Sequence, residues 1–254
     1  MRGVRPIGAR AGSTPLRTAT LALGFGIALL LAWLAPTQAR AEVSCPNPNP
    51  VVNENQCKTG TTSWRTEEDG PNLGGFTTQT SVNLGESVTL KIGRNGPVSP
   101  TRTVNIAVYR MGYYQGLGGR LVNSASNVAI NNDWTCEKMD AVTGKVSCAN
   151  WNPTYTIPGG AFPASGVYLA KLTASTGEQT QVVFTVRDDK RLPKAKVLFV
   201  LPIATYAAYN TFGGKSLYYG YEGENTVSGT SRAVKVSFDR PFNRAGGYHD
   251  WFFG

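Results

Sequence analysis

Four short runs of alternating apolar and polar residues between positions 77 and 188 most constrain the fold of this chain. The apolar positions are Val88, Leu90 and Ile92, then Val104, Ile106 and Val108, then Tyr168, Ala170 and Leu172, and finally Val182, Phe184 and Val186. A period of two with one apolar face indicates a half-buried antiparallel strand. Gly-rich and Pro-rich turns separate the runs, and about seven strands fit into ~110 residues. We therefore predict a mainly β protein, with an immunoglobulin-like antiparallel β-sandwich over residues 77–188.

The N-terminus has the composition of a secretory signal peptide. Arginines precede an uncharged apolar run over residues 21–35, and residues 39–41 (ARA) fit an A-x-A cleavage site. The run is shorter than the ~20 residues that a membrane-spanning helix needs, so cleavage is favoured over a retained anchor. We expect residues 1–41 to be removed, the mature chain to be secreted or periplasmic, and no stable membrane insertion after cleavage.

The positive charge of the chain lies partly in this leader. The net charge is +9, and five arginines but no acidic residues lie within residues 1–41. The remaining lysines and arginines are scattered, without the basic run or patch that is typical of nucleic-acid binding. We therefore expect no nucleic-acid partner.

All four cysteines, Cys45, Cys57, Cys136 and Cys148, lie beyond the leader. An even number of cysteines in an oxidising compartment indicates disulfides rather than free thiols. Three connectivities are possible, and the pairs Cys45–Cys57 and Cys136–Cys148 close the shortest loops, each worth ~3 kcal/mol of stability. Zinc is disfavoured because no close C-x-x-C spacing is present and His249 is the only histidine.

Three further segments complete the predicted organisation. Residues 42–76 are rich in Pro, Asn, Thr and Gly, and we expect a disulfide-closed segment with little core of its own. Residues 189–196 form a charged linker. Residues 197–254 are predicted to begin an α/β domain that is incomplete in this chain.

The α/β prediction depends on the apolar run of residues 197–201, which ends at Pro202. A run this short and apolar favours a strand buried on both faces, as in a parallel sheet. Residues 204–209 could then form a short helix that Gly213 and Gly214 stop, and residues 233–238 a second strand. Ligands bind beyond the carboxyl ends of such strands, where four tyrosines follow.

Several motifs of the chain resemble the N,N-dimethylformamidase large-subunit family. They are YRMGYYQGLGGRLV (residues 109–122), KVLFVLPIATYAAYNTFGGKSLYY (residues 196–219) and VKVSFDRPF (residues 234–242). The resemblance covers roughly residues 77–250. It implies a glutamine-amidotransferase-like α/β domain after the sandwich, an iron-dependent amidohydrolase activity on a small amide substrate, and a small partner subunit.

The resemblance also implies a mononuclear iron site with two tyrosines and one glutamate. A phenolate is a hard anionic ligand that suits ferric iron, and the cation lowers the pKa of the phenol. Tyr209 and Tyr219 are the expected ligands, with Tyr206 and Tyr218 as alternatives. Asn210, in the same A-Y-N motif, is the expected substrate-binding residue.

The chain departs from the family pattern at the glutamate ligand. The expected G-H-D-E-Y-W-like motif is absent, and Glu222 and Glu224 do not match it. Together with the aromatic last residues 250–254, this predicts an N-terminal fragment that lacks most of the catalytic domain and is inactive alone. The alternative is a secreted β-sandwich binding or surface-adhesion protein with a degenerate α/β domain.

The leader assignment predicts that the exported protein begins at Glu42, because signal peptidase cuts after the small residue of an A-x-A site. N-terminal sequencing of the exported protein measures this start. Recovery of intact Met1 in the membrane fraction would show an uncleaved anchor instead.

Overall fold

The computed structural model describes residues 43–66, 70, 72–96, 102–190, 198–218 and 232–242. The predicted signal peptide, its cleavage site and most of the predicted linker lie outside these residues. Within them the chain forms eight strands and two short helices. These are α1 (Pro50–Cys57), β1 (Leu73–Thr77), β2 (Ser81–Asn83), β3 (Val88–Arg94), β4 (Thr103–Met111), β5 (Gly119–Ala129), β6 (Tyr155–Ile157), β7 (Gly166–Ala174), β8 (Gln179–Arg187) and α2 (Ile203–Tyr209). Neither helix is long and apolar enough to cross a bilayer.

The strands form two sheets. The smaller has the order β1-β3-β6, and the larger has the order β2-β8-β7-β4-β5. Neighbouring strands are antiparallel, except that the short β2 pairs in parallel with β8. The four alternating runs form β3, β4, β7 and β8, so the prediction of a mainly β fold with two sheets is confirmed.

One apolar core fills the space between the sheets. The smaller sheet contributes Leu90, Ile92 and Ile157, and the larger contributes many more side chains from β4, β7 and β8. Phe184 stacks on Tyr168 with ring centroids 5.7 Å apart. The alternate residues of each predicted run point into this core, which is why the period of two was visible in the sequence.

Four strands carry no alternation that the sequence could show. β5 is polar and lies at the edge of its sheet, and its register with β4 shifts at two points. β2 and β6 have only three residues each. β1 contains Gly74 and Gly75 and is buried on both faces, so it lacks a polar face.

The segment 42–76 contributes more core than its composition suggested. Trp64 packs with Tyr109, Leu169 and Val183 on the outer face of the larger sheet. Its indole nitrogen donates a hydrogen bond to the carbonyl of Leu117 at 2.9 Å. The prediction of little core in this segment missed Trp64 because a single aromatic residue leaves no periodicity.

The outer face of the smaller sheet is also covered. Phe76 and Trp151 lie there against Phe212 and the disulfide Cys136–Cys148, with Trp134 at the edge. The second disulfide joins Cys45 to Cys57 across α1. Both disulfides follow the predicted pairing.

The predicted strands of the α/β domain are not formed in the described residues. Leu198, Phe199 and Val200 lie outside any strand and are 70–84% exposed. Residues 233–238 form no strand either. A buried parallel strand needs hydrogen-bonded neighbours, and no described strand pairs with either segment. The predicted short helix is present as α2, and Gly213 and Gly214 follow it with positive φ.

Glu178 links the β7–β8 turn to the smaller sheet. Its carboxylate accepts hydrogen bonds from Asn72 at 3.1 Å, from Arg94 at 2.7 and 3.0 Å and from Thr176 at 3.0 Å. Burial opposes ionisation, but the bonds from Asn72 and Arg94 outweigh it and hold the pKa of Glu178 below its ordinary value of 4.5. The ionised carboxylate therefore stabilises the fold at pH values above 4.5. This contribution is lost as the pH falls through the lowered pKa of Glu178.

We predict that Glu178→Gln lowers the free energy of unfolding by about 1 kcal/mol at pH 7, because a charged acceptor of several bonds is lost at a partly exposed site. Urea unfolding at pH 7 and at lower pH measures the difference, which should shrink as the wild-type carboxylate is protonated. Glu137→Gln, at an exposed position, is the control. An equal effect of both changes would contradict the prediction.

Candidate functional site

Two of the four candidate tyrosines lie against each other beyond α2. Tyr209 is the last residue of α2, and Tyr218 returns beside it because the amide of Leu217 donates to the carbonyl of Ala208 at 2.9 Å. The rings of Tyr209 and Tyr218 are stacked, with centroids 4.4 Å apart and planes inclined by 22°. Both side chains are half-buried. We call this the tyrosine pair.

The other two candidates do not join the pair in the described structure. Tyr206 is buried and its ring meets Phe242 edge-on at 6.5 Å. Tyr219, an expected ligand, lies outside the described residues, as do Glu222, Glu224 and His249. The structure therefore brings Tyr209 together with Tyr218, which the sequence offered as an alternative.

Asn210 holds the turn that follows α2. Its side-chain amide donates to the carbonyl of Pro241 at 2.9 Å and accepts from the amide of Phe212 at 3.0 Å, and the residue is buried. Its expected substrate-binding role stays a prediction.

Arg240 is a buried cation that sequence reasoning did not single out. It is 1% exposed. Its guanidinium donates to the carbonyls of Ala207, Asn210, Phe212 and Lys215 at 2.7–3.4 Å. Burial lowers its pKa to about 10, and no carboxylate is among these partners. The negative ends of the peptide dipoles at the C-terminus of α2 and in the next loop therefore stabilise the charge. The only sequence signal was its place in the VKVSFDRPF motif.

The segment that carries the tyrosine pair is attached to the sandwich through Phe212. The ring of Phe212 meets Trp134 edge-on at 5.0 Å, in the cluster that covers the smaller sheet. Backbone bonds add to this contact: the amide of Cys148 donates to Asp239 at 2.6 Å and the amide of Val234 to Thr143 at 2.8 Å. These contacts hold the segment between the two tyrosines and after them.

The donor set of the pair fits part of a ferric iron site. Two phenol oxygens are hard ligands that ionise beside a cation. Among the described residues no group of three His, Cys, Asp or Glu side chains could hold a metal.

Comparisons with known proteins identify a family. The family described as "N,N-dimethylformamidase beta subunit-like, C-terminal" matches residues 105–252, more than half of the sequence and including the tyrosine pair. No protein of curated function matches the sequence significantly.

Solved structures are similar only at a low level. A superoxide reductase (neelaredoxin) from Ignicoccus hospitalis shares 9% identity, with 47% of this chain and 82% of that chain covered and a TM-score of 0.27. A hypothetical protein from Pyrococcus horikoshii shares 8% identity, with 48% and 92% covered and a TM-score of 0.25. Similarity at this level says nothing about activity.

The contacts of Arg240 predict that Arg240→Met lowers the stability of residues 198–242 by about 3 kcal/mol, because several buried carbonyls lose a charged donor. Hydrogen exchange of the amides in α2 and of Phe212 measures this local stability. Arg187→Met, at an exposed position, is the control. Unchanged protection of α2 in Arg240→Met would show that the guanidinium does not hold the segment.

Proposed function

The chain belongs to the N,N-dimethylformamidase beta subunit-like family, and on this premise we propose that it carries part of an exported, iron-dependent amidohydrolase that cleaves the C–N bond of small amides. The observation that carries the proposal is the tyrosine pair: two half-buried phenols lie side by side within the family match.

In the proposed site Tyr209 and Tyr218 hold the ferric ion. Tyr219, which follows Tyr218 in the sequence, is the other candidate ligand. Both residues of the pair are partly exposed, whereas Tyr206 is buried against Phe242. Bound ferric iron would supply a Lewis acid for the amide carbonyl. Asn210 would contact the amide substrate, or hold Tyr209 in place through its backbone bonds.

The remaining parts of the proposal concern the context of the site. The two disulfides are compatible with a non-cytoplasmic location, and we propose export on this basis and on the N-terminal pattern. We propose that this chain alone is inactive toward formamides, because its sequence lacks the G-H-D-E-Y-W-like motif expected to supply the carboxylate ligand. A small partner subunit is part of the same proposal.

The experiment is a titration of the exported protein with ferric iron, followed by visible absorption. Phenolate-to-iron charge transfer should give a visible band, and both Tyr209→Phe and Tyr218→Phe should weaken it strongly, since each removes a ligand oxygen and keeps the ring. Tyr155→Phe is the matched control, because Tyr155 bonds Asn123 within the sandwich and lies outside the pair.

Four outcomes decide between the proposals. A band that disappears in both variants supports the pair as ligands. A band that survives in Tyr209→Phe refutes the ligand assignment. A protein that binds no iron favours the alternative of a secreted binding or surface-adhesion protein, and amide hydrolysis by the chain alone would refute the proposed inactivity.

A further inference from the structure

We propose that a cleft between the segment after α1 and the strands β4 and β5 binds the oxyanion group of a small molecule, a carboxylate or a phosphate. The cleft has a volume of about 500 Å³. Among its lining residues are Lys58, Thr59, Thr61, Ser63, Tyr109 and Arg120. None of these belongs to the tyrosine pair or to its supporting contacts, so this site is independent of the proposed iron centre.

Arg120 is a cation held in a fixed orientation at the wall of the cleft. Its Nε and one terminal nitrogen donate to the two carboxylate oxygens of Glu54 at 2.7 and 3.0 Å. Burial opposes its charge, but the bond to Glu54 outweighs this and raises the pKa of Arg120. The hydroxyl of Tyr114 is its other polar neighbour and also favours the charged form. The Arg120 side chain remains 27% exposed, so part of the guanidinium can meet a ligand in the cleft.

Glu54 is itself fixed by burial and by a further hydrogen bond, so its carboxylate keeps its position beside Arg120. It is 3% exposed and accepts a third hydrogen bond, from the hydroxyl of Tyr114 at 3.0 Å. Tyr114 is fully buried and also accepts from Arg110 at 3.1 Å. A cation positioned by a buried carboxylate loses little conformational freedom when it binds an anion, which is the advantage of preorganisation.

The other polar groups of the cleft are donors as well. Lys58 is exposed and makes no ion pair with any described residue. The hydroxyls of Thr61 and Ser63 bond each other at 2.8 Å, which leaves one hydrogen of the two free for a ligand. Burial raises the pKa of Tyr109, so its phenol stays neutral. Among the described residues, no acidic side chain lines the cleft, and a lining of cations and hydroxyls suits an oxyanion.

The wall that carries Lys58 is fastened to the sandwich at several points. The Cys45–Cys57 disulfide ends next to Lys58. The amide of Thr61 donates to the carbonyl of Gly119 at 2.7 Å, and Asn55 accepts from the amide of Tyr113 at 2.8 Å. Gly60 approaches so closely that an added Cβ would lie 2.4 Å from the Cβ of Tyr114. The cleft is therefore a built feature of the fold.

The test is a titration of the ¹⁵N-labelled exported protein at constant ionic strength, followed by amide chemical shifts. The probes are succinate, inorganic phosphate and the neutral analogue succinamide. We expect saturable shifts at residues 58–63 and 119–121 with at least one anion and none with succinamide. A response to succinate alone assigns a carboxylate ligand, and a response to phosphate alone assigns a phosphate.

Variants at exposed lysines distinguish binding in the cleft from a nonspecific effect of the protein's positive charge. Lys58→Gln should weaken the anion affinity at least fivefold, Lys58→Arg should restore most of it, and Lys138→Gln, at an exposed lysine outside the cleft, should leave it unchanged. Since Lys58 is exposed, these changes leave the fold intact. The proposal is overturned if neither anion shifts these amides, if succinamide shifts them equally, or if Lys58→Gln and Lys138→Gln behave alike.

Discussion

Each sheet of this protein carries apolar side chains on part of its outer face as well as on its inner face, and the placement of the flanking segments follows from the need to cover them. The inner faces cover each other in the core between the sheets. On the outer faces, Tyr109, Leu169 and Val183 of the larger sheet need Trp64, and Phe76 of the smaller sheet needs Trp151 and Phe212. Burying a large aromatic or aliphatic side chain contributes about 2 kcal/mol. The segments before and after the sandwich therefore pack onto it rather than forming separate cores.

Two arginines fix those segments, and each uses a different kind of partner. Arg120 is partly exposed and meets a carboxylate, Glu54, which belongs to α1 and ties the first segment to β5. Arg240 is buried and meets backbone carbonyls around the end of α2. Removing the partners of a buried charge costs several kcal/mol, so each arrangement favours one position for its segment. This is how short segments without a sheet of their own present a defined site.

The sequence predicted those strands in which apolar residues recur with a period of two. Val88, Leu90 and Ile92 predicted β3 because one face of that strand is buried and the other is partly exposed. Gly74 and Phe76 of β1 give no such signal because both faces of β1 are covered. The apolar run at Leu198 and Phe199 led to a wrong prediction of a buried strand. Its composition suits such a strand, but burial depends on neighbouring strands, which a local sequence pattern cannot show. The tyrosines were visible as a cluster, but no local pattern showed that Tyr209 stacks on Tyr218. Nor did it show that Arg240, about thirty positions from Tyr209 along the chain, bonds backbone carbonyls between them.

The tyrosine pair owes its order to the sandwich, and this has a consequence for its stability. The described residues 198–218 and 232–242 contain one short helix and no strand, and isolated helices of this length are unstable in water. Their order comes from Phe212 against Trp134, from Arg240 and from the backbone bonds to the disulfide loop. Regions with few buried contacts open at lower free energy than the core. The segment with the pair should therefore open locally while the sandwich stays folded, and a ligand shared by both tyrosines would oppose that opening because it binds only the closed form.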